Sequence, residues 1–234
     1  MLVLLPGLDG TGKLLTTFVQ ALAQVLCAPW ETQVIAYLKD EPLGYDELER
    51  RVRGALPDDR PFVLLAESFS GPIAIRIAAS PPRAMRGVIL CGTFARNPYP
   101  LLGWAGPLAF LVPTKSLPRW VRAPLLWGSK NAVRVPVQAE RAIAQVADAV
   151  VRRRIRALLE VDAGECLRRI TLPVLILRAR DDRIVPRAAS LWMSERLAAA
   201  HVAVIDGPHL LLQAAPQECA AAVGQWLLRQ PGFT

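Results

Sequence analysis

A serine ends one apolar run and begins a helical one in Leu64-Leu65-Ala66-Glu67-Ser68-Phe69-Ser70-Gly71. A nucleophile on a sharp strand-to-helix turn needs small residues two positions to either side, and Ala66 and Ser70 meet that need. The same serine could serve only to cap the helix that follows. A serine hydroxyl attacks a carbonyl at neutral pH only with a base beside it and a group that orients the base. The chain has two histidines, His201 and His209. His209 follows the last apolar run in Asp206-Gly207-Pro208-His209, whereas His201 precedes that run, at the opposite end of the strand it would form. His209 is therefore the candidate base. Asp181 and Asp182, in Arg180-Asp181-Asp182-Arg183-Ile184-Val185-Pro186, are the candidate orienting carboxylates, with turn formation as their alternative role.

A rival motif lies near the start. Gly7-Leu8-Asp9-Gly10-Thr11-Gly12-Lys13 follows the phosphate-binding pattern G-x-x-x-x-G-K, but Leu14 stands where that pattern needs a hydroxyl for Mg²⁺. Nucleotide binding is thus a weaker reading than acyl chemistry.

Six apolar runs position these residues, at 2–5, 34–37, 62–66, 87–91, 174–177 and 202–205, each nearly continuous in Val, Ile and Leu. Helical patterns at 14–25, 45–54, 72–79, 188–197 and 217–228 alternate with them. This alternation predicts an α/β fold with an open, doubly wound, mostly parallel six-stranded sheet, and chemistry at the carboxyl ends of its strands. Between the fourth and fifth runs the composition changes. Residues 95–170 hold 13 basic and 5 acidic side chains, the whole of the +8 net charge, and seven prolines fall within residues 98–136. The segment predicts a helical cap (95–170) inserted into a core made of residues 1–94 and 171–234. Its Trp104, Phe110, Trp120 and Trp127 either form the cap's own core or line an acyl pocket. The Arg152, Arg153, Arg154 and Arg156 run reads as a solvated helix face, or as a cationic surface for an anionic substrate or acyl carrier. The aromatics do not interleave with the basic run, which argues against nucleic acid.

At 234 residues, 53% hydrophobic and 21% charged, the chain can bury a substantial core, which excludes a disordered tail. No apolar stretch approaches the roughly 18 residues that span a bilayer, and Met1-Leu2-Val3-Leu4-Leu5-Pro6 lacks the features of a signal peptide, so no stable membrane insertion and a cytoplasmic location are expected. Cys27, Cys91, Cys166 and Cys219 have no metal or disulfide spacing and read as reduced, buried small hydrophobes.

Together these motifs resemble the α/β-hydrolase family. Asp182-Arg183-Ile184-Val185-Pro186 is similar to its D-x-[IVL]-V-P acid loop, which favours Asp182 over Asp181. Gly207-Pro208-His209 is similar to its histidine loop, and the order Ser68, Asp182, His209 is the family's order. The resemblance implies an oxyanion hole made by the backbone N–H groups of Phe69 and Leu8, the latter in Pro6-Gly7-Leu8, which aligns with the family's H-G-x. Ala66 and Ser70 stand where the family has glycines, and Pro6 stands where it has histidine. Against the family sheet the antiparallel opening hairpin is absent, and the expected strand order is 2-1-3-4-5-6. The implied activity is that of a serine carboxylic-ester hydrolase acting on a small-molecule ester with an apolar acyl or alcohol part, without metal or cofactor. Acyltransferase and thioesterase chemistry use the same triad, and a non-catalytic binding scaffold is a further alternative.

Overall fold

Strand pairing begins with Leu2–Leu5 (β1), whose four residues are all buried, so both faces of this strand carry core. The computed structural model describes residues 1–26, 30–100, 126, 141–142 and 144–230. The other strands are Thr32–Val34 (β2), Phe62–Glu67 (β3), Met85–Cys91 (β4), Val174–Ala179 (β5) and Ala200–Ile205 (β6). They form one sheet with every pairing parallel, as the sequence pattern predicts, in the order β2-β1-β3-β4-β5-β6 that the family resemblance implies. The helices are Thr16–Val25 (α1), Tyr45–Ala55 (α2), Gly71–Ala78 (α3), Asp148–Glu160 (α4), Gly164–Leu167 (α5), Arg187–Ser194 (α6), Leu211–Ala214 (α7) and Pro216–Leu227 (α8).

Alternate residues along each strand feed two separate cores. Val3, Leu5, Leu64, Ala66, Val88 and Leu90 join Ile73, Ile77 and Val52 on one face. Leu2, Leu4, Val63, Leu65 and Ile89 meet Phe18, Leu22, Val223 and Trp226 on the other.

Several expected boundaries move. The second strand was expected at 34–37 but pairs at Thr32–Val34. Beyond it the Ile35 N–H still donates to the Leu4 carbonyl (3.0 Å), and the Tyr37 N–H then turns to the Gly10 carbonyl (2.7 Å), so residues 35–37 leave the ladder to brace the loop after β1. Burial on both faces holds for β1, β3, β4 and most of β5, but the edge strands β2 and β6, each paired on one side in the sheet, are partly exposed. His201 lies inside β6 rather than before it, exposed and paired with Leu175. Cys91 and Cys219 are buried as expected, while Cys166 is partly exposed and Cys27 lies outside the described residues.

β4 ends at Cys91 and β5 starts at Val174, so the chain between them carries the cationic, proline-rich segment. Trp104, Phe110, Trp120 and Trp127 lie outside the described residues. The described ends of the segment are joined to each other and to the core. The Ala163 N–H donates to the Ala95 carbonyl (2.8 Å) and the Asn97 side-chain amide to the Leu159 carbonyl (2.9 Å), within the segment, while the Ala147 N–H donates to the Lys39 carbonyl of the core (2.8 Å). Among the described residues no helix is long and apolar enough to cross a membrane.

Because all strands run parallel, the loops after Leu5, Glu67, Cys91, Ala179 and Ile205 leave the sheet along one edge. The chain passes from β1 outward to β2 and returns to β3 on the other side of β1, which opens a crevice between the loops that follow β1 and β3.

Candidate active site

Ser68 begins immediately after β3 and takes φ 48°, the only described non-glycine residue in the left-handed region. For an L-residue that conformation costs about 1–2 kcal/mol. The surrounding structure holds it there. The Thr93 hydroxyl donates to the Ser68 carbonyl, and the Tyr45 hydroxyl donates to the Phe69 carbonyl at 3.0 Å with its ring stacked on that of Phe69, centroids 4.7 Å apart. Each such bond contributes about 1 kcal/mol, enough together to offset the strain. Gly71 starts α3 so close to β4 that a Cβ there would lie 1.9 Å from Thr93 Oγ1. The helix-cap alternative for Ser68 has no support, since its side chain makes no capping bond.

The Ser68 hydroxyl lies 2.9 Å from Nε2 of His209, and Nδ1 of His209 lies 2.9 Å from Asp182 Oδ2 and 3.0 Å from Oδ1. All three are secluded, with Ser68 9% exposed and the His209 and Asp182 side chains 4% and 6% exposed. A carboxylate can only accept, so Nδ1 carries the proton and Nε2 is left to accept from the serine hydroxyl. Asp182 Oδ1 also accepts the Ile184 and Val185 N–H groups, both at 2.8 Å, which fixes the carboxylate. Position separates the two aspartates: Asp182 meets His209, whereas Asp181 is exposed, its backbone N–H donates to the Gly207 carbonyl at 3.0 Å and its carboxylate acts on Arg180.

The loop after β1 lies against the serine. A Cβ on Gly7 would be 3.9 Å from Ser68 Cβ and 3.6 Å from Glu67 Oε2, so the backbone leading into Leu8 borders Ser68 directly. Two departures from the family pattern prove to be partners. The Ser70 hydroxyl donates to the Pro6 carbonyl and accepts from the Tyr37 hydroxyl at 2.5 Å, so the serine at the second glycine position anchors the proline at the histidine position. The same loop does not form a phosphate cradle. The Asp9 carboxylate accepts the Thr11 N–H (2.9 Å), the Leu8 and Asp9 carbonyls face Arg154, and Lys13 donates to Gln145 Oε1 at 2.8 Å. A cradle needs converging amides instead.

Sequence reasoning passed over two groups here. Glu67, adjacent to Ser68, is 2% exposed. Gln213 donates to its Oε1 at 2.9 Å, while Oε2 has no hydrogen-bonding partner among the described residues. Burial therefore pushes its carboxyl up to about 7, with the Gln213 bond and the His209 ring opposing and Asp9 adding to the rise. The folded chain then keeps a proton that the unfolded chain releases from about pH 4.5 upward, so this residue makes stability fall as pH rises between about 4.5 and 7. Glu67→Gln should remove that dependence. Urea unfolding at pH 5 and pH 8 should show wild type losing on the order of 3 kcal/mol relative to the variant, and parallel losses in the two proteins would refute the assignment.

Arg154 is the second group. The expectation of a solvated arginine face holds for Arg152 and Arg156, which are exposed, but Arg154 is 1% exposed. It lies on the buried side of α4 with Val150 and Ala157. That spacing, four residues after one apolar position and three before another, was the available signal.

A sequence profile of the alpha/beta hydrolase family matches residues 2–222. A protein carrying the name of a carbamate hydrolase, RutD, from Rhizobium rhizogenes is 30% identical over 169 residues, spanning 67% of this chain and 63% of that protein. Another of that name from Cronobacter turicensis is 26% identical over 245 residues, covering 93% of this chain and 86% of its own length. The chain thus matches less than two thirds of the first relative and most of the second. Among solved structures, the enol-lactonase from Burkholderia xenovorans LB400 superposes with a TM-score of 0.78 at 17% identity, covering 97% of this chain and 91% of that one, a likeness of fold.

Proposed function

The chain belongs to the alpha/beta hydrolase family, and from that premise we propose that it is a serine hydrolase cleaving carboxylic esters with an apolar acyl or alcohol part. The observation that carries this reading is the continuous Ser68–His209–Asp182 hydrogen-bonded chain at 2.9 Å per link, with the serine held at a strained turn. In the proposed reaction Ser68 Oγ attacks the acyl carbonyl while His209 Nε2 takes its proton, and Asp182 supports the resulting imidazolium. The Leu8 and Phe69 N–H groups hold the oxyanion. Collapse of the tetrahedral intermediate breaks the ester C–O bond, and His209 returns the proton to the departing alkoxide. Water, deprotonated by His209, then attacks the acyl-enzyme and releases the acid and free Ser68. We assign the cover of the site to residues 95–170 and its acyl pocket to the aromatic set of that segment, on the apolar composition around Trp104, Phe110, Trp120 and Trp127.

The test is intact mass and peptide mapping after exposure to a fluorophosphonate. One adduct on Ser68 is expected in wild type and none in Ser68→Ala; no adduct on folded wild type would end the activated-serine reading. A panel of aryl esters of increasing chain length, a thioester and an aryl carbamate then sorts the acyl class. The carbamate belongs in it because two relatives carry the name of carbamate hydrolases, and a carbamate presents the same carbonyl to the same nucleophile.

The excess positive charge of residues 95–170 supports a preference for anionic substrates. Raising ionic strength from about 0.01 M to 0.15 M, which shortens the screening length roughly fourfold, should lower kcat/KM for a carboxylate-bearing ester and leave a neutral one unchanged. Identical responses would remove charge from the account of specificity.

A further inference from the structure

Arg154 is buried, 1% exposed, on a helix whose Arg152 and Arg156 are exposed and whose Arg153 is half-buried beside Glu47. Its Nη1 donates to the Leu8 carbonyl (2.8 Å) and the Asp9 carbonyl (2.9 Å), and its Nη2 donates to the Leu38 carbonyl (2.9 Å). The guanidinium carbon stands 5.5 Å from the centre of the Tyr37 ring. The first two acceptors are the central residues of one turn, Gly7-Leu8-Asp9-Gly10, closed by the Gly10 N–H donating to the Gly7 carbonyl at 3.0 Å. Gly10 sits at φ 72°, and a Cβ there would lie 2.5 Å from Arg154 Nη1, so turn and guanidinium are fitted to each other.

The closing bond sets the plane of the Gly7–Leu8 peptide, and with it the direction of the Leu8 N–H, because the two groups of a trans peptide point in opposite directions. Arg154 fixes the next two peptide planes through their carbonyl oxygens. Tyr37 completes the unit, since its N–H donates to the Gly10 carbonyl and its hydroxyl meets Ser70 beside the nucleophile. Burying a guanidinium is costly, and an apolar side chain at 154 would pack the same helix face without that cost. One nitrogen of the planar fork takes both turn carbonyls and the other reaches the Leu38 carbonyl, which no apolar side chain can do and which a lysine would have to do from a single nitrogen.

We propose that Arg154 is a positioning residue for catalysis, supplied by the segment between β4 and β5, which locks the Gly7–Gly10 turn so that the Leu8 N–H is preorganised toward the oxyanion. The inference rests on the assignment of Leu8 as an oxyanion donor. Loss of a single such donor lowers turnover by about 10²–10³-fold, and a donor left in place but free to wander should lose part of that.

The experiment uses the full chain with Arg154→Ala, Arg154→Lys and, as a control on the underlying reading, Ser68→Ala, all assayed on a neutral aryl ester beside thermal unfolding. Both Arg154 variants should lower kcat by about 10–100-fold with KM changed little. Millimolar guanidinium should restore much of the turnover of Arg154→Ala, whose cavity it fits, and none in Arg154→Lys. A purely structural role would give neither the split between kcat and KM nor the rescue. Turnover that survives in Ser68→Ala overturns the serine-hydrolase reading itself. Turnover lost in Ser68→Ala but kept at wild-type kcat in both Arg154 variants overturns this inference alone. So does a raised KM at unchanged kcat, and so does failure of both variants to fold, since Arg154 would then be a determinant of folding rather than of loop geometry.

Discussion

Ser68→Ala should lower kcat for an ester substrate by at least about 10⁴-fold with little change in KM, and His209→Ala should cost about as much. The reason is mutual dependence. Without Nε2 at 2.9 Å the hydroxyl has no acceptor for its proton, and without the hydroxyl the imidazole has no nucleophile to activate. The double variant should therefore be scarcely slower than either single one. Asp182→Asn should fall by about 10³–10⁴-fold, because an amide can donate to Nδ1 and so favour the tautomer with the proton on Nε2, where it blocks acceptance from Ser68. The two backbone N–H groups that fix Asp182 Oδ1 leave the rest of the loop in place in that variant. Single-turnover acylation followed with a chromogenic ester separates the cases. Losses that multiply in the double variant would mean that serine and histidine do not act as one unit.

A methyl group at position 71 should be nearly as damaging, through the fold. In Gly71→Ala the added Cβ would stand 1.9 Å from Thr93 Oγ1 and 2.7 Å from its Cγ2, distances at which Thr93 must move. Moving it removes the hydroxyl that donates to the Ser68 carbonyl. Overpacking of about 1–3 kcal/mol and a lost hydrogen bond of about 1 kcal/mol give an expected destabilisation of roughly 3 kcal/mol, with reduced turnover as the elbow relaxes. Urea denaturation of Gly71→Ala, Thr93→Ala and the double variant checks this. Thr93→Ala alone gives up the hydrogen bond; combined with Gly71→Ala it removes the hydroxyl and methyl but keeps a Cβ at position 93, 2.8 Å from the new methyl, so the double variant should recover part of the lost stability. A double variant no more stable than Gly71→Ala would place the strain elsewhere.

The residues that do the proposed chemistry were legible because each stands at a strand end inside a short local pattern, and a parallel sheet turns such patterns into neighbours. What local pattern could not supply is the partner across the fold. Pro6 and Ser70 each read as a departure from the family, and only the structure, which brings them together across 64 positions, makes them one hydrogen bond. Arg154 vanished into a run of arginines because charge suggests a wet surface, although its spacing from Val150 and Ala157 placed it on the apolar stripe of the helix. The second strand was misplaced for a related reason: Ile35 and Tyr37 are apolar and buried in the same core as Val3 and Leu5, but after Ile35 the backbone turns from the ladder to the Gly10 carbonyl.

The helix that carries Arg154 also bears on protein engineering. The segment between the fourth and fifth strands invites exchange, since the chain leaves the sheet at Cys91 and returns at Val174 and a graft between those points preserves every strand. In this protein such a graft, or a short loop in its place, would strip the hydrogen-bond donors from the carbonyls of Leu8, Asp9 and Leu38. A chimaera could keep its sheet and its triad and still be slow, for want of a support that arrives from outside the core. A donor segment for this scaffold should be chosen first for an arginine that can reach that turn.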